Sequence, residues 1–334
     1  MQFASFVPLI LLSFSFIHTV VSADKYPTEL VYEAPNGTWL ENLAVRADGS
    51  ILATVLTSPD LLLIQPDPKN PAPKLIASFP PTLPFWELQK LPRTPATNFT
   101  SATVSGVLGS GNIYRVDLPR HPHHPNGPVH VSLTSHLPDD TGLPNGLLSL
   151  NNQTLLLAES NNGTILAINT VTGASTVAIN DPLLLPANGN PIGINGLKLH
   201  GNTLYFTNSG LNTFNRVPID LTTGAALGPA TVIATGLTGK GIAYDDFALS
   251  SDGKRAFLTT TGGNTVAEVD TETGGQRTVA GDFHSTEIAQ PTGAAFGRGK
   301  GQKGIVYVTT AGGIAIPVNG YEKVGGQLLA IHVG

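Results

Sequence analysis

Cysteine is absent from the 334 residues, so disulfides, thiolate nucleophiles and Cys-ligated zinc are all excluded. Charge is scarce as well. Charged residues make up 12% of the chain, the net charge is −5, and no basic stripe offers a track for a nucleic-acid backbone. No Lys or Arg precedes Lys25, so the positive start of a standard export signal is missing. Nowhere does a helical period of 3.6 run for a useful length. What is present points to turns and strands. The 37 Gly and 26 Pro accompany many Thr and Val, and a hydrophobic fraction of 41% is too high for a disordered chain.

Phe6 to Val21 is an apolar run of secretory length, and Val21-Ser22-Ala23 supplies small residues for cleavage before Asp24. Residues 1–23 are therefore expected to be a signal peptide and 24–334 the mature domain. A membrane anchor is the competing reading, but the run is too short for a span and is broken by Pro8 and His18. Four sequons suit a secreted glycoprotein: Asn36-Gly37-Thr38, Asn98-Phe99-Thr100, Asn152-Gln153-Thr154 and Asn162-Gly163-Thr164. A mature chain of about 310 residues buries an adequate core without covalent staples.

One pattern recurs. Glu41-Asn42-Leu43-Ala44-Val45, Asn145-Gly146-Leu147-Leu148, Asn195-Gly196-Leu197-Lys198 and Asp245-Asp246-Phe247-Ala248-Leu249 each open a short apolar strand with an acid or amide. A second strand with a Thr- or Asn-rich end follows each. The last three openers are spaced at intervals of 50 residues, and the longer gap after Glu41 leaves room for one more unit without a polar opener. A fixed period of this size marks a repeat architecture. Six units of about four strands can be drawn along the chain, their turns rich in Gly, Pro, Asn and Asp. This predicts an all-β fold, a six-bladed β-propeller, with Glu29 to Tyr32 supplying the outer strand that closes the last blade. A β-sandwich would not keep one strand opener at a 50-residue period.

In a propeller the innermost strands line the axis, so Glu41, Asn145, Asn195 and Asp245 are expected to converge there. Two carboxylates and two amides suit a hard cation such as Ca²⁺. Alternatively, these side chains only satisfy backbone donors at strand starts. Two other segments attract attention. Arg120-His121-Pro122-His123-His124-Pro125 looks like a metal tract, but the alternating prolines favour a solvated loop. Trp86, in the unit without a polar opener, is either channel lining or blade core. His284 and Lys240 are isolated acid–base candidates better read as surface residues, and no Gly-x-Ser-x-Gly elbow occurs.

The four openers, with Asn-Gly-Leu followed by Thr203-Leu204-Tyr205-Phe206-Thr207-Asn208-Ser209, resemble the six-bladed regucalcin/gluconolactonase propellers. There the matching positions hold a divalent metal that polarises a sugar-lactone carbonyl. Glu41-Asn42-Leu43 departs from the Glu-Gly-Pro usual in that family. A closer likeness is to secreted fungal propellers whose first blade reads like Trp39-Leu40-Glu41-Asn42-Leu43-Ala44-Val45-Arg46, then Leu56-Thr57-Ser58-Pro59-Asp60-Leu61. That group includes hetero-Diels–Alderases of tropolonic sesquiterpenoid pathways, which join a quinone-methide heterodiene to a terpene alkene.

The resemblance implies a secreted enzyme of specialised metabolism acting on small hydrophobic substrates. It requires no cofactor, although Ca²⁺ or a similar ion at Glu41, Asn145, Asn195 and Asp245 is compatible with it. Such a cycloaddition needs a dry pocket that holds two partners in reacting geometry and a donor to a carbonyl oxygen. Trp39, Trp86, Tyr244 and Phe247 are the expected substrate contacts, with Asn145 and Asn195 as amide donors. A metal-dependent lactonase and a non-catalytic binding propeller are the alternatives. No nucleic acid and no membrane span are expected, and the protein is expected to be a monomer or homodimer.

Overall fold

A computed structural model describes residues 25–67, 72–79, 111–118, 129–237, 239 and 241–334, together with the strand backbones 85–90 and 98–103. The described chain is an all-β propeller of four-stranded antiparallel sheets. Five of them are formed by consecutive strands within 40–78, 85–136, 144–180, 194–235 and 243–281. In another sheet Pro291–Phe296, Ile305–Thr310 and Gly325–His332 are joined by the N-terminal strand Thr28–Asn36. That strand runs antiparallel to Gly325–His332, pairing Glu29 with Ala330 and Leu30 with Leu329. Among the described residues no helix is long and apolar enough to cross a membrane.

The first strands are Leu40–Val45, Phe85–Lys90, Pro144–Ser149, Ile194–His200, Ala243–Leu249 and Pro291–Phe296. Each touches the next, and the last returns to the first. They therefore surround a common axis. Between neighbouring sheets lie separate buried apolar clusters, each built from both. Leu197, Leu204 and Phe206 meet Leu156 and Ile165 in one; Leu43 and Ile51 meet Tyr307 and Leu328 in another. Burying each sheet face against the next is the main stabilising term, at roughly 25 cal/mol per Å² of apolar surface.

Hydroxyls add a second tie. Thr207 Oγ1 donates to the Asp245 carbonyl, Thr259 Oγ1 to Thr292 at 3.1 Å and Thr309 Oγ1 to Glu41 at 2.9 Å. The Thr-rich ends of the second strands thus bind the first strand of the next sheet. Farther out, the repeated Asn/Asp-x-Thr-Gly turns are side-chain capped. Asn169 Oδ1 accepts from the backbone of Val171 and Thr172, and Gly173 takes φ +74° to finish the turn. Asp220 and Asp270 do the same at their turns.

Candidate functional site

Each polar opener sits on a β-bulge. Leu40 pairs with Val55 but Leu43 with Ala53, so Glu41 and Asn42 together face Thr54. The same two-against-one count places Asn145 and Gly146 opposite Ala158, Asn195 and Gly196 opposite Thr207, and Asp245 and Asp246 opposite Thr259. A bulge breaks the strict alternation of a strand and re-aims its side chains. Here it turns two successive residues toward the axis in four sheets.

The first residues of the bulges, Glu41, Asn145, Asn195 and Asp245, all line one cavity of about 710 Å³. Its volume is typical of small-molecule sites. The second positions form a tier of their own. Asn42 Nδ2 donates to Asp246 Oδ2 at 3.0 Å, and Lys198 Nζ reaches both Asp246 oxygens at 2.6 and 2.9 Å. Gly146 and Gly196 have no side chain there because none would fit. A Cβ on Gly196 would lie 2.1 Å from Asp246 Oδ1, and one on Gly146 2.2 Å from the Asn195 carbonyl oxygen.

The cavity-facing groups differ in how well they are satisfied. Glu41 accepts a hydrogen bond from the Trp39 indole, and Trp39 also lines the cavity. Asn195 Nδ2 donates to Ser209 Oγ at 3.0 Å and to Asp245 Oδ1 at 2.8 Å, which leaves its Oδ1 buried without a partner among the described residues. Asn145 is 3% exposed and its amide has no hydrogen-bond partner among the described residues. Asp245 keeps some surface toward the cavity although protein encloses it. Desolvation, reinforced by the Asp246 charge and only partly offset by the Asn195 N–H, pushes its carboxyl up to about 7.

The mouth has a different character. Ile192, Leu211, Leu237, Ile242 and Ile316 make much of it apolar, interspersed with Asn188, Asn190 and Asn212. These residues sit on loops between sheets or between second and third strands, where no repeat signal marks them. Gln290, another wall residue, was likewise not singled out by the pattern; it precedes a first strand whose bulge residue is Thr292, not an acid or amide.

Two expected substrate contacts are elsewhere. Tyr244 and Phe247 flank the Asp245-Asp246 bulge, and the alternation on either side carries both into the apolar cluster between the sheets 194–235 and 243–281. Tyr244 donates its hydroxyl to Gln276 Oε1 at 2.5 Å, and Phe247 packs edge-on against Phe214 at 5.0 Å. Both are core residues. Trp86 lies on Phe85–Lys90 at that strand's register shift, but its side chain is outside the described residues. Lys240, Arg120 to Pro125 and the Asn98 side chain also lie outside them. His284 is exposed, with Nδ1 2.7 Å from Asn319 Oδ1. Asn36, Asn152 and Asn162 are exposed.

Among the described residues no group of three or more His, Cys, Asp or Glu could hold a metal. The mixed set of Glu41, Asp245 and the two amides is nonetheless chemically suited to a hard cation, and the partnerless Asn195 Oδ1 is a free donor for one.

No protein-family model matches the chain. A candidate hetero-Diels-Alderase from Phoma sp. is 26% identical over 320 residues, covering 85% of this chain and 86% of that protein. Among solved structures, regucalcin from Agrobacterium tumefaciens covers 93% of this chain and 95% of its own, with TM-score 0.63 and 18% identity. A luciferin-regenerating enzyme gives TM-score 0.64 at 12% identity, covering 92% and 95%. The PQQ-bound aldose sugar dehydrogenase of Streptomyces coelicolor gives 0.57 at 12%, covering 92% and 99%. The class defined by fold and site is a β-propeller with an axial polar pocket. Within that class the chain resembles the hetero-Diels–Alderase-like fungal propellers and, more distantly, regucalcin.

Proposed function

We propose that this propeller is a hetero-Diels–Alderase that joins a quinone-methide-type heterodiene to a sesquiterpene alkene such as a humulene inside the axial cavity. The observation that carries the proposal is Asn145: an amide with no partner among the described residues, on the wall of a cavity that Ile192, Leu211, Leu237, Ile242 and Ile316 also line. Its amide faces the cavity, where it can pair with a guest that carries a polar atom. The aliphatic side chains of the lining suit the rest of that guest.

In the reaction, one C–C and one C–O bond form while the three π bonds of the two partners become one. The six π electrons reorganise within the two partners; no proton is transferred, no group leaves and there is no net oxidation or reduction. The protein therefore has to hold the partners together, exclude water and stabilise charge growing on the heterodiene oxygen. Asn145 Nδ2 is a donor for that oxygen. Asp245, with its carboxyl raised to about 7, is a second donor whenever it carries its proton. The test is direct: purified protein given α-humulene and a quinone-methide precursor should yield a cycloadduct of one relative configuration.

The ring itself we read as six-bladed and closed by Thr28–Asn36, a reading supported by the pairing of that strand with Gly325–His332. Export through the secretory pathway is part of the same proposal, supported by the apolar Phe6 to Val21 segment and exposed sequons at Asn36 and Asn152.

A second reading, a lactonase of the gluconolactonase kind, is favoured by the partnerless Asn195 Oδ1 among oxygen donors. Glu41, Asn145, Asn195 and Asp245 would hold a divalent ion, which would supply Lewis acidity toward a lactone carbonyl. Ile192, Leu211, Leu237, Ile242 and Ile316 on the lining favour the first reading, because a sugar lactone offers such side chains little apolar surface.

A further inference from the structure

Gln290 is 2% exposed and lines the axial cavity with φ +56°, a left-handed conformation that costs a non-glycine residue energy. The surroundings hold it there. Its N–H donates to Asn264 Oδ1 at 3.0 Å, and its carbonyl accepts from Ala311 N at 2.8 Å. Its side-chain Oε1 accepts from two backbone N–H groups, Ala315 at 3.0 Å and Ile316 at 3.1 Å. Two donors on one amide atom identify that atom as the oxygen, since an NH₂ there would oppose two N–H groups. Nε2 is the remaining arm, and it has no hydrogen-bond partner among the described residues. Ala315 and Ile316 line the same cavity.

We propose that Gln290 Nε2 is a preorganised hydrogen-bond donor to the carbonyl oxygen of the bound substrate, so that the cavity selects apolar molecules carrying a carbonyl. This rests on the reading of the cavity as a hydrophobic substrate site. The Oε1 bonds fix the rotamer, so the donor is aimed before the guest arrives and no reorganisation is needed as charge develops. A loop-pinning role alone would use Oε1 and leave Nε2 idle. Substitution separates the two roles. At a pH that keeps its carboxyl ionised, Gln290→Glu keeps an oxygen for Ala315 and Ile316 but removes the donor, whereas Gln290→Met removes both.

The experiment uses the purified full chain and two probes, tropone and the hydrocarbon α-humulene, with affinity measured by calorimetry and the tropone carbonyl stretch by difference infrared spectroscopy. Wild type should bind both probes and lower the carbonyl stretch. Gln290→Glu should unfold at a higher Tm than Gln290→Met, keep the humulene affinity, bind tropone about tenfold more weakly, as expected for one lost hydrogen bond, and lose the infrared shift. Gln290→Met should lower Tm as well. Unchanged tropone affinity and stretch in Gln290→Glu would overturn the donor while humulene binding keeps the hydrophobic-site reading. Wild-type protein that binds neither probe would overturn both. An unshifted stretch in tropone bound to wild type overturns the donor without any substitution.

Discussion

Asn195 Nδ2 donates to Asp245 Oδ1 at 2.8 Å, joining two side chains 50 residues apart at the same position of successive sheets. The repeat period of the sequence is thus a contact at the axis. The bond also brings a carboxylate, its pKa raised by burial and by the Asp246 charge, against an amide whose oxygen is left over.

Stability should fall as pH rises through this region. Asp245 titrates near its ordinary value of 3.8 when unfolded and at about 7 when folded. Between those values the folded state binds more protons, so raising the pH favours unfolding. The native protein loses on the order of 2–4 kcal/mol across the interval, at 1.36 kcal/mol per unit. Asp245→Asn should flatten the Tm–pH curve between about pH 4 and 7, and exceed wild type in Tm above it. A variant whose curve keeps the wild-type slope would assign the titration to another group.

Gly146→Ala should destabilise the protein by about 2 kcal/mol or more, because the new methyl meets the Asn195 carbonyl at 2.2 Å and backbone cannot step aside cheaply. The measurement is urea unfolding beside Gly201→Ala, where a Cβ meets nothing but φ is +60°. If the two substitutions cost the same, crowding at the bulge is not the cause.

Lys198→Met removes the ammonium that contacts both oxygens of the buried Asp246. Leaving that carboxylate without its cation should cost about 3 kcal/mol. Adding Asp246→Asn should recover a substantial part of the loss. A double variant no more stable than Lys198→Met would show that the packing of Lys198 on Phe247, 5.2 Å from the ring centroid, matters more than its charge.

Deleting residues 24–33 should lower stability by several kcal/mol. The pairing partner Gly325–His332 would lose most of its outer neighbour, and Val31 and Tyr32 would leave the cluster around Leu328 and Ala330. Unchanged Tm in the truncated protein would count against ring closure by this strand.

The polar openers were legible because a repeat imposes one environment on one position, and the bulges keep Glu41, Asn145, Asn195 and Asp245 in phase. The misassignment of Tyr244 and Phe247 has the same origin read one residue too far. Proximity in sequence to the bulge suggested proximity to the cavity, but strand alternation resumes at once and buries both rings. Gln290, Ile316 and Leu237 were illegible because loops of unequal length bring them to the cavity and no period links them.

The decisive measurement gives wild-type protein and Asn145→Ala a quinone-methide precursor with α-humulene, and in parallel a panel of aldonolactones, each with and without chelator. Wild type should give a cycloadduct that persists in chelator and falls at least tenfold in Asn145→Ala, the scale of one hydrogen bond to developing charge. Chelator-sensitive lactone hydrolysis with no cycloadduct would contradict the proposed function.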